Sequence, residues 1–519
     1  MSTQKKGLFI GDDGANLIFT FILVSSLFFL WGVCNGMIDV MDKHFQDELH
    51  LSKSQSAWVQ FAHYLGYFLM SMPAGFLATK LGYKGGIIMG LLLVSLGGFW
   101  FVPATHIAAF WAFLVGVCAI AAGLTFLETV ANPYTTVLGD PRYAATRINL
   151  AQSTNGIGWI LGPIIGGLFF YSKNSAGVST GSQTLFIPYL TVAIIVLVLA
   201  VVFYFAPVPD IKAEDDYQIE DKDAAAAPIA ERTLNRPLIY LLLAINFAVL
   251  LGAIGMILWV IFSTLGHTPS AQELKIAGIV GLAVSAVIAM PLAMRISHHS
   301  VWSHPHFSAS TIAQFFYVAG QAGIFSFFIN YMTSEVPALP SGLKNGAIGS
   351  WFEMGKDSLL HLSDKGASNL ASVAFGFFLV GRFSGAALLK KASAHKVLGL
   401  YGLINIAMCA VVFLKLGWIS AIAVFLSYFF MSIMFPTIFA LGIFGLGSRA
   451  KRASGYIVMA IMGGAILPKM MGLVADKYDM SRGFIVPLAC FCIVAIYGLF
   501  WPLFSGADSL HGLKTSGGH

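Results

Sequence analysis

The sequence predicts an all-α membrane protein of fourteen transmembrane helices, arranged as two six-helix halves with an extra helix pair between them. Composition is the first reason, because 57% of the 519 residues are hydrophobic and only 10% are charged, whereas soluble domains carry about 25% charged residues. Segment length is the second, since fourteen apolar runs approach the roughly 20 residues that a bilayer-spanning helix needs. A weak internal repeat is the third.

The predicted helices form three groups along the chain. They cover residues 16–40, 57–79, 85–105, 107–138, 146–171 and 185–206, then 237–263 and 274–297, then 307–332, 366–390, 396–415, 417–446, 453–475 and 482–505. The predicted domains are a first half at 1–206, a cytoplasmic linker at 207–235, an insertion at 236–306, a second half at 307–505 and a cytoplasmic tail at 506–519.

The repeat relates the first group of helices to the last. The first half contains Arg147, Gly158 and Pro163, and the second half has the same residue types at the same spacing in Arg452, Gly463 and Pro468. Internal repeats of this kind are typical of membrane carriers.

Basic residues mark one side of the membrane. With a cytoplasmic N-terminus, alternate loops carry the clusters Lys5/Lys6, Lys80/Lys84, Arg142/Arg147, Lys390/Lys391/Lys396 and Arg449/Lys451/Arg452. This distribution fits the positive-inside rule and places both termini in the cytoplasm. The net charge of +6 therefore reports topology and gives no indication of nucleic-acid binding. The start of the chain is too polar for a cleaved signal peptide, and the acidic stretch 210–223 is typical of a solvated linker.

Cysteine and histidine spacing gives no indication of a metal site or another cofactor. The five cysteines are expected to be packing residues without disulfides: Cys34, Cys118, Cys409, Cys490 and Cys492. The histidines at 298, 299, 304 and 306 lack a supporting ligand pattern.

Two acidic residues lie inside long apolar runs, Asp39 in the first helix and Glu128 in the fourth. A charged side chain at the bilayer centre costs about 2.5–3.5 kcal/mol on the insertion scale, so such residues usually face a cavity and have a function there. We therefore predict that this pair binds a proton that is transported together with a substrate. The alternative is a helix cap or an interhelical contact, to which Asp39 is closer because it lies near its helix end.

Other polar residues follow helical spacing on several predicted spans. Amide and hydroxyl groups both donate and accept hydrogen bonds, as a polyhydroxylated ligand requires. With Asp39, the predicted binding residues are Asn35, Gln60, Tyr64, Asn132, Gln152, Asn155, Gln314, Tyr317 and Gln321. The alternative for any single amide is an interhelical contact, worth about 0.6 kcal/mol on average.

Two further residues in apolar runs, Lys469 and His63, are less informative about function. For Lys469 we expect an ion pair or a position near the membrane interface, in preference to a place in the pore. His63 is expected to be a cavity or packing residue.

Several segments resemble one known family. FFLWGVCNGMIDVM, FLETVANPYTTVLG, RINLAQSTNGIG and FMSIMFPTIFALGIFGLG are similar to the fucose–galactose–glucose:proton symporters of the major facilitator superfamily. The resemblance implies a twelve-helix core, alternating access and proton-coupled sugar uptake. It also implies coupling roles for Asp39 and Glu128 and a sugar contact for Gln152. It does not cover 237–297, and Gly36 and Ile38 depart from the fucose-specific pattern, which leaves the sugar open.

The predicted function is therefore proton-coupled symport of a hexose or deoxyhexose across a bacterial inner membrane by a monomer. Sodium coupling and an N-acetylhexosamine substrate are alternatives within the same fold. A membrane sugar sensor is an alternative of another class, although neither the linker nor the tail resembles a signalling domain. An enzyme is not expected, because no nucleophile–base pair is visible in the sequence.

The orientation can be tested by labelling single cysteines with a membrane-impermeant reagent. Lys43→Cys should react from outside intact cells and Lys391→Cys should react only after permeabilisation, because the two loops are predicted on opposite sides. Labelling of position 391 from outside would contradict the orientation.

Overall fold

The computed structural model describes residues 9–10, 15–138, 144–172, 184–208, 234–264, 270–297, 300–340, 349–355, 357–389, 392–444, 446 and 450–506. In these ranges the chain is almost entirely helical. The helices are α1 Ile18–Glu48, α2 Lys53–Ser56, α3 Trp58–Ile107, α4 Phe110–Val137, α5 Ala144–Phe170, α6 Phe186–Phe205, α7 Arg236–Thr264, α8 Ala271–Arg295, α9 Pro305–Ser326, α10 Phe328–Ser334, α11 Asp364–Leu389, α12 Ala394–Phe413, α13 Trp418–Met431, α14 Met434–Ile443, α15 Ala450–Met459, α16 Gly463–Lys477, α17 Met480–Gly483 and α18 Ile485–Ser505. A small antiparallel hairpin of β1 Phe352–Met354 and β2 Leu360–Leu362 places Glu353 opposite His361.

The all-α membrane architecture is confirmed, but the count of fourteen spans is not reproduced. Among the described residues, twelve helices are long and apolar enough to cross a membrane, or thirteen if α9 and α10, which meet at a 45° bend, form one span. The predicted spans 57–79 and 85–105 both lie in α3, which consists of two helices that meet at a kink at Gly82 (φ 69°, ψ −177°). Glycine tolerates this positive φ. A single residue therefore forms the break for which the sequence suggested a loop.

Close helix contacts hold the first half together. Helix α1 packs along α5, and α3 packs against α4 and α6. A β-carbon at Gly158 would lie 2.3 Å from the Phe29 carbonyl oxygen, and one at Gly32 would lie 2.2 Å from the Asn155 carbonyl oxygen. Only glycine permits this approach of two backbones, as in many membrane helix pairs.

The second half and the insertion form adjoining bundles. Helix α9 packs against α16 and α18, and α12 packs against α13 and α18. In the insertion, α7 and α8 pack on each other, and the Arg236 guanidinium donates to the Ala293 carbonyl at 3.0 Å. Helix α7 also packs against α9. There the Asn246 amide donates to the Ser308 carbonyl at 2.9 Å and accepts from the Thr311 hydroxyl at 2.6 Å.

The two halves meet mainly through α5 with α11 and through α2 and α3 with α16. These contacts determine at which positions along the helices the two halves are joined.

Substitution of Gly158 tests the tight packing of α1 on α5. Gly158→Ala should destabilise the protein by about 1–3 kcal/mol, because overpacking forces two backbones apart. Gly281→Ala in α8 is the control, since nothing lies within 4 Å of a β-carbon there, and alanine should match or improve stability. The measurement is thermal unfolding of the purified protein in detergent, and equal melting temperatures for the two variants would contradict the prediction.

Candidate functional site

A cleft in the first half has two of the predicted site residues, Glu128 and Gln152, in its wall. It lies between α1, α4 and α5. The other lining residues are Leu27, Phe28, Trp31, Leu127 and Ala131. A mostly apolar wall with a few convergent polar groups is characteristic of small-molecule sites.

The cleft lies near the middle of the helices that form it. Trp31 occupies a central position in the 31-residue helix α1. At about 1.5 Å per residue it is roughly 22 Å along the helix from Gln46, which lies near the far end. Mid-membrane placement is where carriers bind their substrates.

A hydrogen-bonded aromatic layer adjoins the cleft. The Trp31 indole N–H donates to the Tyr67 hydroxyl, and Asn35 Nδ2 donates to the Trp31 carbonyl at 2.8 Å. Tyr67 is buried, and its phenol also interacts with Asn35 and with the Glu128 carboxylate. The charge of Glu128 therefore acts on Tyr67, which is already hydrogen-bonded to Trp31 in the cleft wall.

This layer continues across the junction between the halves. The rings of Trp31 and Trp159 lie 6.1 Å apart, and Trp159 lies 4.8 Å from Phe375 of α11. Phe375 in turn contacts Tyr428 at 5.3 Å. Aromatic groups of both halves therefore form a continuous set beside the cleft.

The predicted residues of the first half have different placements. Asp39 lies in α1 and Asn132 in α4, and their side chains are outside the described part of the structure. Gln60 is buried, and a β-carbon at Gly464 of α16 would meet the Tyr64 ring at 2.5 Å. Asn155 is buried with Nδ2 donating to the Phe28 carbonyl at 3.3 Å. This bond joins α5 to α1, as the interhelical alternative describes.

The predicted residues of the second half share one helix, α9, but differ in their partners. The Tyr317 hydroxyl donates to the Met431 carbonyl at 2.9 Å. Gln314 is fully buried, and both atoms of its amide lack a hydrogen-bond partner among the described residues. Gln321 is partly exposed. Because an unpaired buried polar group costs about 1–3 kcal/mol, Gln314 is the member of this group that most needs a partner.

Sequence comparison identifies the family of this bundle. Residues 20–348 match the Major Facilitator Superfamily. The chain belongs to this superfamily. It is 31% identical over 500 residues to the L-fucose-proton symporter of Escherichia coli (strain K12), with 93% of each chain covered. It is 27% identical over 485 residues to a glucose/galactose transporter of Brucella abortus biovar 1 (strain 9-941), covering 93% of this chain and 94% of the relative.

The structural comparison agrees. The crystal structure of the Escherichia coli fucose:proton symporter matches with a TM-score of 0.57 at 30% identity, covering 94% of this chain and 99% of that one. The resemblance predicted from the sequence motifs is thereby confirmed. The relatives are transporters, so this major facilitator protein is a carrier and not an enzyme.

The sequence motifs did not single out several residues of this major facilitator protein. Arg382 of α11 is partly exposed, its guanidinium lies 5.1 Å from the Phe378 ring, and its Nε atom is buried without a partner among the described residues. It also interacts electrostatically with Tyr317. An arginine inside a transmembrane span is a signal that could have identified it. Trp31 and Trp159 carry no such signal, because aromatic residues are common in apolar helices.

Lys469 departs from one of its two expected arrangements, the ion pair. Within the described part of the chain it forms no ion pair. Its Nζ instead lies 3.5 Å from the centroid of the Trp58 ring and 5.0 Å from that of Trp259. His63 is buried beside Tyr64 and Tyr67, at 5.1 and 5.0 Å between ring centroids, as expected for a packing residue.

The histidine cluster remains only partly visible. His298 and His299 are outside the described residues, and His306 Nε2 lies 2.9 Å from the Phe444 carbonyl. No group of three potential metal ligands occurs among the residues that the structure describes.

A pair of substitutions separates helix-joining amides from an amide without a partner. Asn155→Leu should destabilise the protein by about 1 kcal/mol, because the bond to the Phe28 carbonyl is lost. Gln314→Leu should leave the melting temperature unchanged or raise it, since no protein hydrogen bond is removed and a desolvated amide disappears. Thermal unfolding without sugar is the measurement, and a larger loss at position 314 than at 155 would contradict the assignment.

Proposed function

We propose that this protein is a proton-coupled monosaccharide symporter of the bacterial inner membrane that works by alternating access. The observation that carries the proposal is the presence of Glu128 and Gln152 in one mid-membrane cleft. The names of the relatives, an L-fucose-proton symporter and a glucose/galactose transporter, support a sugar as substrate and a proton as the coupling ion.

Glu128 is the proposed site of proton exchange. A carboxyl group that faces a cleft inside the membrane can bind a proton from water and release it again, as carboxylates of proton relays do. Its charge acts on Tyr67, which is hydrogen-bonded to Trp31 in the cleft wall. Loading and unloading of the proton would thus alter the surroundings in which sugar binds. Asp39 on α1 is assigned to coupling and substrate binding by the family resemblance.

Sugar recognition is assigned to amides and aromatic rings around the cleft. Gln152 can donate to and accept from sugar hydroxyls, while the flat face of Trp31 can stack on the C–H face of a pyranose. From the second half, Gln314 and Arg382 have polar atoms that lack a partner in the described structure. Hydrogen bonds to a bound sugar would satisfy groups of both halves, which gives the substrate an influence on how the halves close.

Alternating access is supported by polar contacts that join the halves near one end. Gln46 of α1 and Asn330 of α10 exchange amide hydrogen bonds, the first at 3.3 Å from Gln46 Nε2 to Asn330 Oδ1. Lys43 Nζ lies 3.8 Å from Asp364 Oδ1. The backbone N–H of Lys53 donates to Asp476 Oδ1 at 2.8 Å.

We call this the closed end, and the distribution of basic residues assigns it to the outer face. The structure would then correspond to an inward-facing state, in which the cleft has access to the cytoplasm. The domain boundaries predicted above are kept as part of this proposal, with 1–206 and 307–505 as the moving halves and a monomer as the functional unit.

Substitution of the proposed proton site should separate binding from coupling. In liposomes, Glu128→Gln should retain sugar exchange but lose accumulation driven by a pH gradient, because a neutral amide binds substrate without exchanging a proton. Asp39→Asn should behave in the same way. Glu353→Gln in the exposed hairpin is the matched control and should accumulate sugar normally. Accumulation by Glu128→Gln at the level of the unmodified protein would overturn its role.

The same assay distinguishes the alternatives for ion and sugar. Accumulation driven by a sodium gradient at equal pH would replace proton coupling with sodium coupling. Competition by glucose, galactose, L-fucose and N-acetylglucosamine would identify the substrate, and effective competition by N-acetylglucosamine alone would favour an N-acetylhexosamine carrier.

A further inference from the structure

Lys469 lies where three parts of the chain meet. It belongs to α16 of the second half, Trp58 begins α3 of the first half, and Trp259 lies in α7 of the insertion. The ammonium faces both indole rings, at 3.5 Å from the Trp58 centroid and 5.0 Å from the Trp259 centroid. The side chain is only 7% exposed.

The two rings are the observed partners of this charge. No ion pair to this ammonium occurs among the described residues. Cation–π attraction grows when the cation is desolvated, and tryptophan is its best acceptor. Because a buried charge without a partner is costly, the ammonium favours any arrangement of the helices that keeps an indole face against it.

The two tryptophans are attached to different moving parts. Trp259 is carried by α7, whose Asn246 is bonded to Ser308 and Thr311 of α9 in the second half. Trp58 is carried by the first half and lies next to α2, whose Lys53 is bonded to Asp476 of α16 at the closed end. Separation of the halves at this end would therefore remove Trp58 from Lys469 and leave Trp259 in place.

An apolar cluster shows that α7 reaches this junction. Ala253 of α7 is buried together with Phe61 of α3 and with Ala465 and Ile466 of α16. Trp58 and Met256 pack against the same cluster. The insertion thus packs at the surface where the two halves meet.

We propose that the inserted helix pair is a gating element, in which Trp259 takes over the Lys469 ammonium from Trp58 when the closed end opens. The shorter contact to Trp58 stabilises the closed state. The longer contact to Trp259 shortens as Trp58 withdraws, so Trp259 stabilises the open state more than the closed one. The proposal rests on the alternating access described under the proposed function, and it gives the two tryptophans opposite effects on one equilibrium.

The test measures the distance across the closed end without any transport. Spin labels at Gln55→Cys and Tyr478→Cys, both exposed, report open and closed populations by pulsed electron resonance, with the native cysteines replaced. Trp58→Leu should raise the open-to-closed ratio by about tenfold, the effect of a desolvated cation–π contact. Trp259→Leu should lower that ratio several-fold. In a Lys469→Met background, neither substitution should change the ratio more than about twofold.

The outcomes separate this proposal from the proposed function. Equal or same-direction effects of the two tryptophan variants, or effects that persist without Lys469, would overturn the transfer of the ammonium while leaving symport intact. A single distance in every variant would contradict alternating access as well. If Glu128→Gln and Asp39→Asn still accumulate sugar in the liposome assay while the two tryptophan variants keep their opposite effects, the proposed gate is retained and the proton-coupling roles are not. If Trp58→Leu does not fold, Trp58→Phe supplies a weaker acceptor and should shift the ratio in the same direction.

Discussion

The bilayer offers no hydrogen-bond partners to a polar side chain, so each such group in this protein must find its partner inside the bundle or in a water-filled cleft. The described structure shows three solutions. Asn155 joins two helices, Glu128 faces the cleft and acts on a hydrogen-bonded tyrosine, and Lys469 lies against two indole rings. Among the described residues, Gln314 and Arg382 retain polar atoms without a hydrogen-bond partner.

Tight packing of the first half determines the shape of the cleft. Gly32 and Gly158 allow the backbones of α1 and α5 to approach so closely that Trp31 and Gln152 share one wall. The second half contributes mainly aromatic rings and amides beside this wall, and it meets the first half both there and at the closed end. The asymmetry fits a carrier in which one half holds the proton site and the other completes the sugar site.

The insertion adds a third component to the junction between the two halves. A twelve-helix carrier needs only its two halves to open and close, whereas here α7 adds a third surface through Trp259 and Ala253. Its hydrogen bonds to α9 attach it to the second half, so in the proposed gate it moves with Lys469. An added helix pair can in this way influence a conformational equilibrium without any contact with substrate, because it binds a charge that both states must accommodate.

The sequence by itself determined the membrane class, the helical architecture, the family and the placement of Glu128 inside an apolar helix, because hydropathy, a charge in an apolar run and local motifs are all properties of neighbouring residues. It could not decide that the break between the spans 57–79 and 85–105 is a kink at the single residue Gly82. Nor could it show that Asn155 joins helices, that Tyr67 receives the Trp31 hydrogen bond or that Lys469 lies against Trp58 and Trp259. These contacts join residues distant in the chain, so only the packing of whole helices brings them together.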